Sequence, residues 1–213
     1  MNSAAQANAN FWDKLAPRYA AMPVKDVEAY EATLDAVKAR LRPEHWLLEI
    51  GCGTGSTALR LAPFVEKVVA TDISAAMIEI ARAKPEANKI DFRQQEASAP
   101  FAEERFDVVC AFNVLHLVPD LDQTLRRIRQ QLKSDGIFIS KTPCLGEMSI
   151  FIRAIVPVMR LIGMAPPVQY QTRQKLLSAL AVAGFAVEET RTFGKGRASH
   201  YIVARPTDRP PGN

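Results

Sequence analysis

Trp46-Leu-Leu-Glu-Ile-Gly51-Cys-Gly53-Thr-Gly55, followed after a short helical stretch by Lys67-Val-Val-Ala-Thr-Asp72, decides the reading of the chain. Trp46 to Ile50 is a short apolar run that ends on a glycine, the pattern of a buried strand. Ser56 to Leu61 reads as a helix closed by Pro63, and Lys67 to Asp72 as a second strand. Glycines at 51, 53 and 55 let the backbone turn sharply after the strand and let a ligand approach it closely. Asp72 ends the second strand, where a carboxylate can accept both hydroxyl protons of a ribose lying across the strand ends. A dinucleotide motif would carry a further glycine where Ser56 stands, which disfavours a nicotinamide oxidoreductase. Glu49 has no part in that motif. It makes sense where a carboxylate organises the loop or meets a cationic ligand.

Outward from this centre the chain alternates helix and strand. Val27, Tyr30, Leu34, Val37 and Leu41 step by three and four along one helix, with Asp26 to cap it and Pro43 to stop it. Ser74 caps a helix through about Lys84, and a weaker strand follows at Lys89 to Arg93. Phe106 to Phe112 is a strong fourth strand. Leu121, Leu125, Ile128 and Leu132 mark a helix ending near the Ser134-Asp135-Gly136 turn, and Gly136 to Lys141 is a fifth strand. This spacing implies an α/β domain with parallel pairing, right-handed crossovers and helices on both faces. After a helix at about Arg173 to Ala183, two strands follow with no helix between them, Phe185 to Thr192 and Ala198 to Arg205, an antiparallel pair. The expected layout is a single domain over 10–205, with an N-terminal helical lid at 10–42 and a helical cap insertion at 144–170. Residues 1–9 and 206–213, polar or rich in proline, read as disordered ends.

At 213 residues the chain suits one domain with a sizeable core. The net charge of +4 is unevenly spread: residues 1–120 hold 13 Lys/Arg against 17 Asp/Glu, and residues 121–213 hold 14 against 6. The basic C-terminal half is a solvated face, or one turned toward something anionic. Cys52, Cys110 and Cys144 are too few and too scattered for a disulfide framework or a zinc site, so no metal is expected. With no signal-like start and no stretch of spanning length, the expected location is cytoplasmic.

With these motifs in hand, the chain resembles the class I S-adenosylmethionine-dependent methyltransferases over roughly residues 11–205, in particular their small-molecule branch. The resemblance implies a Rossmann-like, seven-stranded, mostly parallel sheet with an antiparallel last strand. It implies S-adenosylmethionine as cofactor, S-adenosylhomocysteine as product and a small-molecule acceptor. Glu49, Gly51, Cys52, Gly53 and Gly55 look like the family's first motif, beside the methionine part of the cofactor. Asp72 looks like its ribose acid, and Ile73 and Met77 like the apolar neighbours of the adenine. Asn113-Val-Leu-His116 resembles the segment beside the reactive sulfonium. The family often has Asp-Ala after the third strand to bind the adenine amino group; here the stretch is Gln94-Gln-Glu-Ala-Ser98, and Glu96-Ala97 is the favoured match, with Gln95 as the alternative. Tyr19, in a segment similar to one that many relatives fold over the cofactor, either touches the cofactor or anchors the segment with Phe11 and Trp12.

Methyl transfer needs a general base only when the acceptor must lose a proton. His116 is the candidate, weighed against a histidine that merely packs. Cys144 is a poor nucleophile candidate. The Asn/Asp-Pro-Pro-aromatic signature of amino-directed nucleic-acid methyltransferases is absent after the fourth strand, so nucleic acid is not expected as a partner. Met148 to Gly163 is almost wholly apolar apart from Arg153 and Arg160, with Pro157 to kink it. The segment is read in three ways: a cap over an apolar, quinone-precursor-like or lipid-like acceptor whose anionic group meets Arg153 or Arg160; a peripheral membrane contact; or a buried helix or homodimer contact. A non-catalytic adenosyl-ligand binder of the same fold, acting as regulator or partner subunit, is the alternative to the enzyme.

Overall fold

The strand β1 (Trp46–Ile50) pairs in parallel with β2 (Lys67–Asp72) on one side and β4 (Phe106–Phe112) on the other. A computed structural model describes residues 3–101, 104–161, 165–194 and 198–208, without the side chains of residues 3, 4, 151–154 and 161. With β3 (Ile90–Gln94), β5 (Leu132–Pro143), β6 (Phe185–Thr192) and β7 (Ser199–Pro206), the sheet has seven strands in the order 3-2-1-4-5-7-6. Only β7 runs against its neighbours, pairing antiparallel with both β5 and β6. The Rossmann-like sheet with its antiparallel last strand is therefore as expected.

Period-two alternation divides the core between the two faces of the sheet. Leu47, Val68, Ala70, Val108 and Cys110 face a cluster that includes Leu34 and Val37 of α2 (Val27–Lys38), Ala58 and Leu61 of α3 (Ser56–Leu61), and Ile78 and Ala81 of α4 (Ala75–Arg82). Leu48, Ile50, Val69 and Val109 face the other cluster. It takes Leu125 and Ile128 from α5 (Leu121–Gln131), with Leu176 and Leu180 from a later helix, Arg173–Val182. The strand order reverses at β1: the chain moves outward through β2 and β3, then crosses back to β4. The crevice at such a reversal is where ligands settle on open parallel sheets.

Several expectations change. Residues 3–9 belong to α1 (Ser3–Ala20), not to a disordered end. The stretch is rich in alanine, the best helix former, and Ala5, Ala9 and Ala16 are buried. The helix is also tied down at its middle: Asp13 Oδ1 accepts hydrogen bonds from Ser74 Oγ (2.6 Å) and from the Ala76 amide (3.1 Å), at the start of α4. At the other end, Pro206 closes β7, and the Thr207 amide donates to the Gly184 carbonyl at 2.9 Å; residues 209–213 lie outside the described residues. The α2 helix starts on its Asp26 cap but ends at Lys38, short of Leu41, and Val27 is exposed. The strand β5 begins at Leu132, so the Ser134-Asp135-Gly136 turn is absorbed as a bulge between the Phe106–Leu132 and Val108–Ile137 pairs. The insertion forms α6 (Ile150–Leu161), with Pro157 inside it, and the Arg173–Val182 helix is then α7.

The docking of α1 rests on Asp13, so Asp13→Ala should cost about 1–2 kcal/mol, the scale of a lost cap and hydrogen bond. Urea unfolding checks this, with Asp13→Asn, which keeps an acceptor oxygen, closer to the parent protein.

Candidate functional site

Cys52, Gly53 and Thr54 carry the chain from β1 into α3, and a cavity of about 660 Å³ opens over them. Its wall is drawn from the carboxyl ends of β1, β2 and β4, from the 95–98 segment after β3, and from α1 and the residues that follow it. Its volume lies within the usual range for small-molecule sites.

Asp72 organises the loop. Its Oδ2 accepts from the Gly53 amide at 2.8 Å and its Oδ1 from the Ser74 amide at 2.9 Å. Ser74 in turn caps α4, accepting from the Met77 amide at 3.1 Å. Gly53 has φ +53°, and a Cβ there would meet only the Tyr19 ring, at 3.8 Å, so its missing side chain is open space in the cavity. Gly55 differs. At φ +75°, its Cβ would fall 2.7 Å from the Phe92 ring, so that glycine serves the packing of the loop, and it does not line the cavity.

Glu49 is almost wholly buried, at 2% exposure, and its Oε2 has no hydrogen-bond partner among the described residues. Burial first, and the Asp72 carboxylate second, push its carboxyl up to about 8, against a smaller opposing effect of the Ala58 amide. Burial also raises Asp72, and its amide donors hold that rise back. Burial, followed by the nearby Glu49 and Asp72, drives the Cys52 thiol well up, so it stays neutral and unreactive. A second orphan is the buried Gln95 Nε2, a donor without an acceptor among the described residues. The cavity therefore holds a buried acid short of a cation or donor, and a buried amide short of an acceptor.

Of the residues singled out in the sequence, Tyr19, Glu49, Gly51, Cys52, Gly53, Asp72, Ile73, Met77, Glu96, Ala97 and Asn113 line this one cavity. Gly51 is pressed against Val114, with a Cβ there falling 2.5 Å from its side chain. Asn113 has φ +55°, a conformation that non-glycine residues rarely adopt and that clusters at functional sites.

His116 does not line the cavity. The turn closed by the Leu117 amide on the Val114 carbonyl (2.8 Å) presents Val114 and Leu117 instead. The His116 Nδ1 is buried without a partner among the described residues, and burial pushes the imidazole down to about 4, so it is neutral. Cys144 is also buried and outside the lining, its thiol pushed up to about 11. Arg160 lines a smaller neighbouring hollow, and the Arg153 side chain lies outside the described residues. Residues not anticipated from the sequence include Asn8, Tyr30, Lys25 and the run Leu117 to Asp120 with Gln123 and Thr124. Asp120 had a readable signal, since it caps α5 by accepting from the Gln123 amide at 2.8 Å.

Residues 48–140 match the family model described as a methyltransferase domain. The chain is 30% identical over 197 residues to the ubiquinone biosynthesis O-methyltransferase of Azorhizobium caulinodans, covering 85% of this chain and 78% of that one. This chain belongs to the class I S-adenosylmethionine-dependent methyltransferases. It is also 32% identical over 105 residues to the uncharacterized methyltransferase YcgJ of Bacillus subtilis, a match that spans 47% of this chain and 42% of that relative's length. The solved DhpI–SAH complex shares the fold, with a TM-score of 0.77 at 20% identity, covering 97% of this chain and 98% of that one. S-adenosylmethionine is the cofactor of the family. The crevice suits it: Glu49 Oε2 lacks a cationic partner, Asp72 has acceptor capacity at the end of β2, and Gly53 leaves the space above the loop clear.

Because Glu49 keeps a proton in the folded chain that it loses when unfolded, its ionisation erodes stability as pH rises from about 4.5 through about 8. Glu49→Gln should therefore unfold about 1–3 kcal/mol later than the parent above pH 8, the scale set by relieving one buried charge. If a cationic amino group completes Glu49, S-adenosylhomocysteine binding at pH 7 should release close to one proton from the parent and none from Glu49→Gln. Calorimetry in buffers of different ionisation heat reads both values.

Proposed function

We propose that this methyltransferase moves a methyl group from S-adenosylmethionine to a small, largely apolar acceptor held between the glycine loop and the Leu117–Thr124 wall. The observation that carries the reading is the pairing, in one cavity, of Asp72 bound to Gly53 with the buried, unpartnered Oε2 of Glu49. Asp72 accepts the ribose hydroxyls, and Glu49 meets the amino group of the methionine part. Gln95, with Glu96 and Ala97, serves the polar edge of the adenine, while Ile73 and Met77 pack its faces. Gly51, Cys52, Gly53 and Asn113 set the backbone against the methionine part, and Tyr19 closes over Gly53.

When bound, the cofactor supplies a methyl group already activated on a sulfonium sulfur, so the protein's share is alignment and exclusion of water. Asn8, Trp12, Tyr19, Met22 and Lys25 bring α1 and the chain after it onto the cavity, which supports their role as a lid. Leu117, Val118 and Pro119 give the acceptor side aliphatic surface, and Asp120 offers a carboxylate there if the acceptor must lose a proton. His116, buried outside the lining, is not needed for that task. No helix among the described residues is long and apolar enough to cross a membrane.

Calorimetric titration with S-adenosylmethionine and S-adenosylhomocysteine tests the site. Asp72→Ala should weaken both by about tenfold to a hundredfold, the scale of hydrogen bonds to a charged group. Gly53→Val should abolish binding by filling the cavity; because a β-branched residue at φ +53° also strains the loop, circular dichroism is read beside the titration to confirm that the chain is folded. Gly55→Ala should instead lose about 3 kcal/mol of stability through strain and overpacking. Parent-like affinity in both Asp72→Ala and Gly53→Val would refute the placement.

A further inference from the structure

Beside the main cavity lies a second hollow of about 280 Å³. Asn8, Leu117, Val118 and Pro119 line both, so the two spaces share a wall. Their chemistry differs. Four carboxylates line the main cavity, those of Glu49, Asp72, Glu96 and Asp120, with Lys25 as its basic residue. Among the described residues, the second hollow has one charged residue in its lining, Arg160 of α6, and no carboxylate. Most of the remaining surface is aliphatic, from Leu117, Val118, Pro119, Pro167 and Val168.

We propose that this hollow is the anchoring subsite of the acceptor, and that the acceptor is an amphipathic acid whose terminal carboxylate or phosphate pairs with Arg160. The proposal rests on the methyl-transfer reading and adds the acceptor's chemical class and orientation. An anion is repelled by the Asp72, Glu96 and Asp120 carboxylates of the main cavity and attracted to this hollow, where a cation stands without a carboxylate among the described lining residues. The aliphatic wall takes the stem between the two ends, and the end to be methylated reaches past Asn8 toward the glycine loop. Asn8 is 6% exposed and donates its Nδ2 to the Leu117 carbonyl at 3.2 Å. Its Oδ1 has no partner among the described residues, so a donor on the stem supplies what that oxygen lacks. Arg160 itself is exposed, which keeps its guanidinium hydrated at the mouth and makes its contribution one of selectivity more than of tight binding.

Octanoate, octyl phosphate and octanol separate the acid from the stem. Binding of each is measured by calorimetry, with and without saturating S-adenosylhomocysteine. Both anions, or whichever of the two is the true head group, should bind about tenfold more tightly than octanol, the scale of one charge-assisted contact at a solvated site. Arg160→Ala should erase that preference, Arg160→Lys should keep part of it, and octanol and S-adenosylhomocysteine should bind both variants as they bind the parent. Octanol binding as well as both anions, no binding of either anion, or undiminished anion affinity in Arg160→Ala would each overturn the proposal. Failure of the parent to bind S-adenosylhomocysteine would instead count against the methyl-transfer reading, and the anion preference, read without that ligand, stands or falls apart from it.

Discussion

One carboxylate joins the parts of the site. Through its two oxygens, Asp72 ties the Gly53 amide of the loop after β1 to the Ser74 amide at the start of α4. Ser74 then caps α4 and donates to Asp13, which brings in α1. A chain of four hydrogen-bonding groups thus links β2, the glycine loop, α4 and the N-terminal helix. Displacing the loop would break the Gly53–Asp72 bond, and displacing α1 would break the bonds of Asp13 to Ser74 and Ala76. Asp72 therefore orders the loop beside the crevice before any ligand arrives.

The same arrangement is costly. Glu49 is buried on the face of the sheet that carries the larger share of α2, α3 and α4, next to the negative charge of Asp72 and with one oxygen unpaired. A buried acid in that state destabilises the ligand-free fold, and a well-packed apolar residue would serve the core better. Its presence makes physical sense when a cationic group enters: the orphan oxygen gains a partner, the repulsion is offset, and the proton leaves. On the proposed reading, the stability withheld from the empty chain becomes selectivity for a positively charged ligand. The left-handed backbone at Asn113, across the crevice, is a second local expense of the kind that binding sites retain.

What was legible in the sequence was the part governed by local chemistry. Glycines after an apolar run, an acid at the next strand end, and Ser or Asp ahead of periodic helices each have a nearby physical cause, and Asp72, Ser74 and Asp26 stand where those causes place them. Gly55 was legible as a glycine but not as to its partner, because Phe92 comes to it from a strand 37 residues on in the chain. The helix over residues 3–9 is not legible because a polar, alanine-rich stretch orders only when something receives it, and its receivers are distant in sequence: the Leu117 carbonyl for Asn8, and the start of α4 for Asp13 further along the same helix. His116 was expected to face the crevice from its distance along the chain after β4. The direction of a side chain in a tight turn depends on the turn itself, and here the turn presents Val114 and Leu117.

The acceptor side was least legible for the same reason. No motif spans it, because its wall is assembled from α1, from the loop between β4 and α5, and from the chain around α6, segments far apart in sequence. What the sequence did carry was charge: an acidic first half and a basic second half. In the fold that asymmetry becomes spatial, with carboxylates around the glycine loop and an arginine beyond the shared wall. On the proposed reading, a cationic cofactor and an anionic acceptor would then be drawn to two neighbouring spaces that share the wall of Asn8 and Leu117–Pro119. Sorting by charge orients two ligands before any shape-specific contact forms, and it leaves the apolar wall between them to decide which stems fit.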